Sequence, residues 1–331
     1  MATPNVNFYD LTVATLRNYT SAVSDNVSQH NALYRRLKDK NRIRTVTGGT
    51  TITENLDYAE NQTVQNYSGY DVLNVNPSQV LTAAEYYWRQ KAVNITYSGE
   101  EVRKNMGEKT RILNLVESRI NNAFKSAAND MNRALYGTGI DVNAKPDIGG
   151  LQLVIADVNT NMVGGIDGNI WPFWRNKVWN AATSEGSPVT LTKDNILSYM
   201  NKMWTSLTRG TDYPDFIVAS PEMYNMYEES QQQIQRYMKS DEAKAGFETL
   251  KYKTADVFFD QTQGPTGQAI MPARHMYFIN TDYLKLCEHP DARWTRSDER
   301  MSVNQDATVI PLFWMGQLVC SNRFMQGVML G

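Results

Sequence analysis

Few residues in this chain are of the kinds that carry out covalent or metal chemistry. Histidine occurs three times, at His30, His275 and His289, and cysteine twice, at Cys287 and Cys320. The cysteines have no metal-ligand spacing and read as small hydrophobes of a β core, and His275 and His289 read as structural residues flanking a β-hairpin. Asp157, Asn159 and Asn161 alternate as the first ligands of a calcium loop do, but the sixth position is Met162 instead of Gly and the twelfth is Gly168 instead of Glu, so the stretch reads as an Asn-rich turn. There is no H-E-x-x-H, G-x-S-x-G, Walker or G-x-G-x-x-G pattern, and the Gly-Thr-Gly at 137–139 follows a helix, not a strand. Trp171, Phe173, Trp174 and Trp179 have the chemistry to stack a ligand but read as the local core of a loop. Acidic residues are plentiful and no pair stands out for acid–base work. No catalytic residue, cofactor or metal ligand is therefore nominated.

The elements that would position a site are more legible. The chain has 331 residues, enough for two or three compact units, and 41% of them are hydrophobic. Lys and Arg (33) nearly balance Asp and Glu (35), giving a net charge of −2, which excludes a strongly basic nucleic-acid coat. Neither a membrane span nor a signal peptide is read, and the Asn-x-Ser/Thr sites at Asn26, Asn61, Asn66 and Asn94 are taken as chance. Residues 1–30 read as a polar arm. Arg35, Arg36, Lys38, Lys40, Arg42 and Arg44 then form the most basic stretch, either a solvated helix face or an arm that grips an acidic neighbour. From about 42 to 78 a long β-hairpin is expected, with Ile43, Val46, Thr51, Ile52 and Thr53 on one side, Val64, Tyr67, Tyr70, Val72, Leu73 and Val75 on the other, and an acidic tip near 57–62. It lacks an apolar face for its own domain, so another subunit is the simplest surface for it.

Residues 84–97 alternate as one long strand. Ser98 and Glu101 form a capping box, after which Val102, Met106, Leu113, Val116, Ile120, Phe124, Ala127, Met131 and Leu135 recur at helical spacing until Gly137. This predicts a helix of roughly 36–38 residues lying along a sheet. After a Gly/Pro linker at 137–150, residues 151–158 read as a strand or turn and Thr192 as a helix cap. Strands at 215–220 and 255–260 alternate with helices, which makes a compact α/β unit. The segments at 275–280, 283–289 and from 307 onward return to β and are expected to join the 84–97 strand beneath the long helix.

The extended loop IRTVTGGTTITENLDYAENQTVQNYSGYDVLNV, the spine GEEVRKNMGEKTRILNLVESRINNAFKSAANDMNRALYG and the stretch GGLQLVIAD…GGIDGNIWPFWRN together resemble the major capsid proteins of tailed double-stranded-DNA bacteriophages, whose fold is shared with herpesvirus shell floors and encapsulins. The resemblance lies in order, lengths and wording over nearly the whole chain, with no single tight motif. It implies an α+β fold: an N-terminal arm (1–41), an extended β-hairpin loop (42–78), a peripheral domain (79–139 and 271–331) with a spine helix at about 99–136, and an inserted α/β axial domain (140–270). It implies a structural virion protein, not an enzyme, that self-assembles as hexamers and pentamers into an icosahedral head in the host cytoplasm. The partners implied are a scaffolding protein, a portal, in some members decoration proteins, and packaged DNA met without sequence specificity, with no membrane.

Some members of that family crosslink through a loop lysine, and this chain has none between Lys40 and Lys91, so a non-covalent shell is expected. The start of the chain leaves no room for a cleaved scaffolding segment, so a separate scaffold is expected too. Between subunits, Arg35, Arg36, Arg42 and Arg44 are expected to face Glu54, Asp57 and Glu60, with Tyr67, Tyr70 and Val72 supplying more of the energy. The rival readings are an encapsulin-like compartment and an α/β enzyme with an unidentified pocket.

Overall fold

The computed structural model describes residues 32–105, 115–141, 143–235, 250–260, 271–298, 300–301 and 305–331. The first half contains α1 (Ala32–Asp39), β1 (Ile43–Thr45), β2 (Thr51–Asp57), β3 (Leu81–Tyr87), β4 (Arg89–Ser98), α2 (Gly99–Asn105) and α3 (Leu115–Tyr136). There follow β5 (Thr138–Ile140), β6 (Pro146–Gly149), α4 (Leu151–Val154), β7 (Met162–Val163), β8 (Ile166–Asp167), β9 (Lys177–Asn180), α5 (Ile196–Leu207), β10 (Phe216–Ala219), α6 (Pro221–Gln235), β11 (Leu250–Tyr252) and β12 (Ala255–Phe259). The chain ends in β13 (His275–Ile279), β14 (Leu284–Arg296), β15 (Arg300–Met301), β16 (Ala307–Cys320) and β17 (Gly327–Leu330). The arm expected at 1–30 lies outside the described residues.

The capping box forms as the sequence dictates. Ser98 N donates to the Glu101 carboxylate at 3.0 Å and Glu101 N donates to Ser98 Oγ at 3.1 Å, which satisfies two donors that a helix start leaves open. Arg119 of α3 donates to the same carboxylate at 2.8 Å. The predicted long helix is thus seen as α2 and α3, and residues 106–114, with Met106 and Leu113, lie outside the described residues. The buried side of α3 runs through Ala123, Ala127, Met131, Ala134 and Leu135. Phe124, expected on that stripe, is 43% exposed; its neighbour Ala123 is the residue that packs on Ile95, Ile310 and Leu312.

Two sheets organise the rest. In the first, β16 pairs antiparallel with β4 from Arg89↔Gly316 to Ser98↔Ala307, and on its other edge with β14, which carries β1 in parallel. The second has the order β11-β12-β10-β13-β17-β9. Its strand Phe216–Ala219 is wholly buried because both faces are covered, one by α1, α3 and α4, the other by α5 and α6. Burial on both sides is why this strand reads as a continuous apolar run.

Four expectations are corrected. The segment 84–97 is two strands, broken at Trp88, whose indole donates to Gly49 O at 2.9 Å. Residues 151–154 are the short helix α4. Helix α5 begins at Ile196 without a side-chain cap; the Thr192 carbonyl accepts from Ile196 N while Asn195 Oδ1 accepts from Thr192 N at 2.8 Å. Finally, β13 and β14 are not a hairpin, and β13 and β17 lie in the six-stranded sheet instead of joining β4. The turn between β13 and β14 is held by Asp215, which accepts from both Thr281 N (2.8 Å) and Thr281 Oγ1 (2.6 Å).

The two sheets meet at the end of α3. Lys91 of β4 sits between Asp130 of α3 (2.6 Å) and Asp147 of β6 (2.8 Å). Gly150 passes so close under the helix end that a Cβ would lie 2.4 Å from both Ala134 O and Leu135 O, so no larger residue fits without moving the backbone.

Candidate assembly surface

The hairpin is real, but its second strand is not where composition placed it. β2 pairs with β3 from Thr51↔Tyr87 to Asp57↔Leu81. The segment rich in Val and Tyr, 58–80, forms no ladder: two extended runs lie between β2 and β3 and turn at Ser68–Asp71, where Ser68 N donates to the Asp71 carboxylate at 2.7 Å. The tip is therefore at 68–71, not 57–62.

The base of this hairpin does have a face for its own chain, contrary to expectation. Strand alternation puts Ile52, Leu56, Ala84 and Tyr86 on one side, where they are buried against Val163, Ile166, Trp174 and Val319. Tyr86 Oη donates to Cys320 O at 2.8 Å, and burial pushes this hydroxyl well above its ordinary pKa. The segment 58–80 has no such support. Tyr70 is 105% exposed, Val72 93% and Val64 85%, and Tyr67, Leu73 and Val75 are exposed with them.

The charged candidates divide in the same way. Arg36 donates to the Asp256 carboxylate at 2.8 Å and to Asp215 O at 3.0 Å, with its guanidinium over the Phe216 ring. Arg42 pairs with Asp282. Arg44 donates to Glu54 Oε1 at 2.6 Å, and Lys285 reaches the other oxygen at 3.7 Å. The expected opposite-charge match between Arg44 and Glu54 is thus made within one chain, and Arg36 and Arg42 are matched there too. Arg35 lies along α1 at 3.7 Å from Asp39. Asp57 and Glu60 remain at the surface.

The other residues singled out above serve packing. Trp174 is buried and donates to Val163 O at 2.9 Å, and Trp171 and Phe173 sit 5.6 and 5.5 Å from the Tyr58 ring. Trp179 belongs to the other core, 4.5 Å from Tyr199. Cys287 and Cys320 are buried, and desolvation pushes their thiols up to about 11 and about 12. His289 lies edge-on to Trp88 at 6.1 Å. Among the described residues no group of three or more His, Cys, Asp or Glu is placed to hold a metal ion, and no helix is long and apolar enough to cross a membrane. Sequence reasoning passed over Lys91 and Arg323, each of which ties together segments distant in sequence; nothing local marks either one.

A folded base bearing an exposed apolar ribbon, a helix on one sheet and a second, six-stranded sheet with helices on both faces can be compared with known proteins. The sequence model of the family described as SU10 major capsid protein matches residues 89–324. The chain belongs to this family. It is a major capsid protein of the bacteriophage type, a structural component of the virion shell and not an enzyme. Solved structures agree on the fold of this capsid protein. The chain of a cyanophage A-1(L) capsid asymmetric unit is 17% identical, with a TM-score of 0.68 over 95% of this chain and 96% of that one. The capsid of cyanophage P-SCSP1u is 11% identical (TM-score 0.57, 99% and 96% covered), and that of Mycobacterium phage Bobi is also 11% identical (0.55, 97% and 96%). No curated protein is similar enough in sequence to count as a match.

Proposed function

We propose that this capsid protein assembles with itself as hexamers and pentamers into an icosahedral head around double-stranded DNA, and that the 58–80 ribbon of each subunit lies over a neighbour. The observation that carries this reading is the exposure of Val64, Tyr67, Tyr70, Val72, Leu73 and Val75 on a ribbon with no core of its own. Burial of apolar area at about 25 cal/mol per Å² favours covering them. Between Arg44 and Arg89 the chain carries Glu54, Asp57, Glu60, Asp71 and Glu85 and no Lys, Arg or His. With Glu54 neutralised at home, Asp57, Glu60 and Asp71 set register against a basic neighbour more than they add strength.

In this reading the long helix and the β4–β16 sheet form the peripheral domain. Residues 140–270 form the axial domain, its sheet completed by β13 and β17. Closure is guided by a scaffolding protein, a portal joins the shell, and assembly takes place in the host cytoplasm. The shell is held without covalent bonds, a reading supported by the lack of lysine between Lys40 and Lys91. Packaged DNA meets the inner surface without sequence specificity, in keeping with a net charge of −2.

The test is replacement of residues 59–79 by a short Gly/Ser turn. The expected product melts within a few degrees of the wild type, since the base strands keep their core, yet yields no closed shells by electron microscopy when co-expressed with its scaffold. Shells of normal size from this variant overturn the proposal.

A further inference from the structure

The Asn-rich stretch after α4 does meet a cation, and the cation is a side chain of the same molecule: Asp157 faces His275 and Asn159 donates to Asn176 O, while Asn161 and Asn176 both accept from Arg323. Arg323 stands in a single helical turn at 323–325, between β16 and β17, and is 0% exposed. Its Nε donates to Val154 O at 2.7 Å and its Nη2 to Asn161 Oδ1 at 2.7 Å and Asn176 Oδ1 at 3.1 Å, while Nη1 points at Asn161 O, 3.5 Å away. Every one of these acceptors is neutral. A guanidinium buried without a carboxylate is costly, and desolvation lowers its pKa.

The asparagines close the arrangement from their other ends. Asn161 Nδ2 donates to Leu153 O at 2.9 Å and Asn176 Nδ2 to Ala156 O at 2.8 Å, and Asn159 Nδ2 donates to Asn176 O at 3.1 Å. The carbonyls left open at the end of α4 (Leu153, Val154 and Ala156) are thus all taken, two by asparagine amides and one by the arginine. Oxygens of both side chain and backbone converge on one positive group, as they do in a metal loop, but the planar fork of arginine fixes directions that a spherical ion does not.

We infer that Arg323 is the positioning residue of the 157–176 loop: its guanidinium bridges Asn161, Asn176 and the end of α4 and, arriving from the turn before β17, couples the shape of that loop to the seating of β17 between β13 and β9. The loop so held presents Val158, Met162, Ile170 and Trp171 at the surface. The inference concerns the single subunit and does not depend on the assembly reading.

The test uses the full-length subunit before assembly. Chymotryptic cuts after Phe173 and Trp174 are followed by mass spectrometry, and amide exchange is followed at Val328 and Met329. Arg323→Ala is expected to speed those cuts about tenfold or more, the size expected from losing one hydrogen bond to a charged group, and to lower protection on β17 together with them. Millimolar ethylguanidinium is expected to slow the cuts again and ethylammonium is not, because only the former carries the fork. Cutting unchanged by the substitution, no rescue by ethylguanidinium, or equal rescue by ethylammonium overturns the inference. Should the alanine variant be insoluble, Asn161→Ala removes one acceptor and leaves the arginine in place. It is expected to speed the same cuts and to loosen β17, and full protection of β17 in that variant overturns the coupling.

Discussion

The base and the ribbon of one hairpin are built from similar residues and come to opposite ends. In the base, Ile52, Leu56, Ala84 and Tyr86 are buried on Trp174 and Val319 of their own chain, and the one acid that points inward, Glu54, is met by Arg44 and Lys285. In the ribbon, one tyrosine and two valines, Tyr70, Val72 and Val64, stand almost fully exposed. Apolar content therefore does not separate the two regions; what separates them is whether the chain itself supplies a partner surface. The base anchors the hairpin to the subunit so that the ribbon can be held away from it. Substitutions in the base should thus be read out in the isolated subunit, and those in the ribbon only in the assembled particle.

The largest effect should come from Tyr86→Ala. It removes a buried ring and leaves Cys320 O without its donor, a loss of about 3–5 kcal/mol by the usual cost of emptying a core, visible as a large drop in the denaturant midpoint of the free subunit. Tyr86→Phe keeps the ring and isolates the hydrogen bond, and about 1–2 kcal/mol is expected from the carbonyl left unpaired. Tyr70→Ala should change the subunit by less than about 0.5 kcal/mol, as exposed substitutions do, yet lower the thermal stability of assembled particles. A subunit destabilised by Tyr70→Ala as much as by Tyr86→Phe would erase the distinction between base and ribbon.

The same contrast explains what could be read from the sequence. The capping box was legible because Ser98 and Glu101 are three residues apart and their bonds are local. The strand at 216–219 was legible because burial on both faces leaves a continuous apolar run, and the one at 255–259 because Val and Phe are dense in it. The return strand of the hairpin was not. LTAAEYY becomes β3 through burial of Ala84 and Tyr86 on Val163 and Trp174, whereas Val64 to Val75, with its valines and tyrosines, forms no ladder. Propensity reports fitness for a pleated, half-buried surface, and it is silent on which chain provides that surface. The basic stretch failed for a related reason: the partners of Arg36 lie at Asp215 and Asp256, far along the chain, so its charges looked available when they were spent at home. Arg323 was illegible because its acceptors are neutral amides and carbonyls, and no pattern of charge announces them.

The smallest expected effect lies at a third place, where a local motif and a distant partner share one group. Arg119 above all holds the Glu101 carboxyl below the ordinary glutamate range; burial pushes it up, and the backbone and hydroxyl of Ser98 add to the lowering. A carboxyl lowered in the folded state contributes stability above the pKa of the unfolded chain, about 4.3, and that contribution is lost as the pH falls through the folded value. Glu101→Gln keeps the back-bond to Ser98 N, since glutamine serves a capping box equally well, and loses only the charge pair with Arg119. Both side chains remain partly in water, so about 0.5 kcal/mol is expected at neutral pH. The melting temperatures of wild type and variant should therefore differ slightly at pH 7 and converge between pH 5 and pH 3, wild type falling further. A gap that stayed constant across that range would place the effect in the cap and not in the charge, and would leave α2 and α3 joined by packing alone.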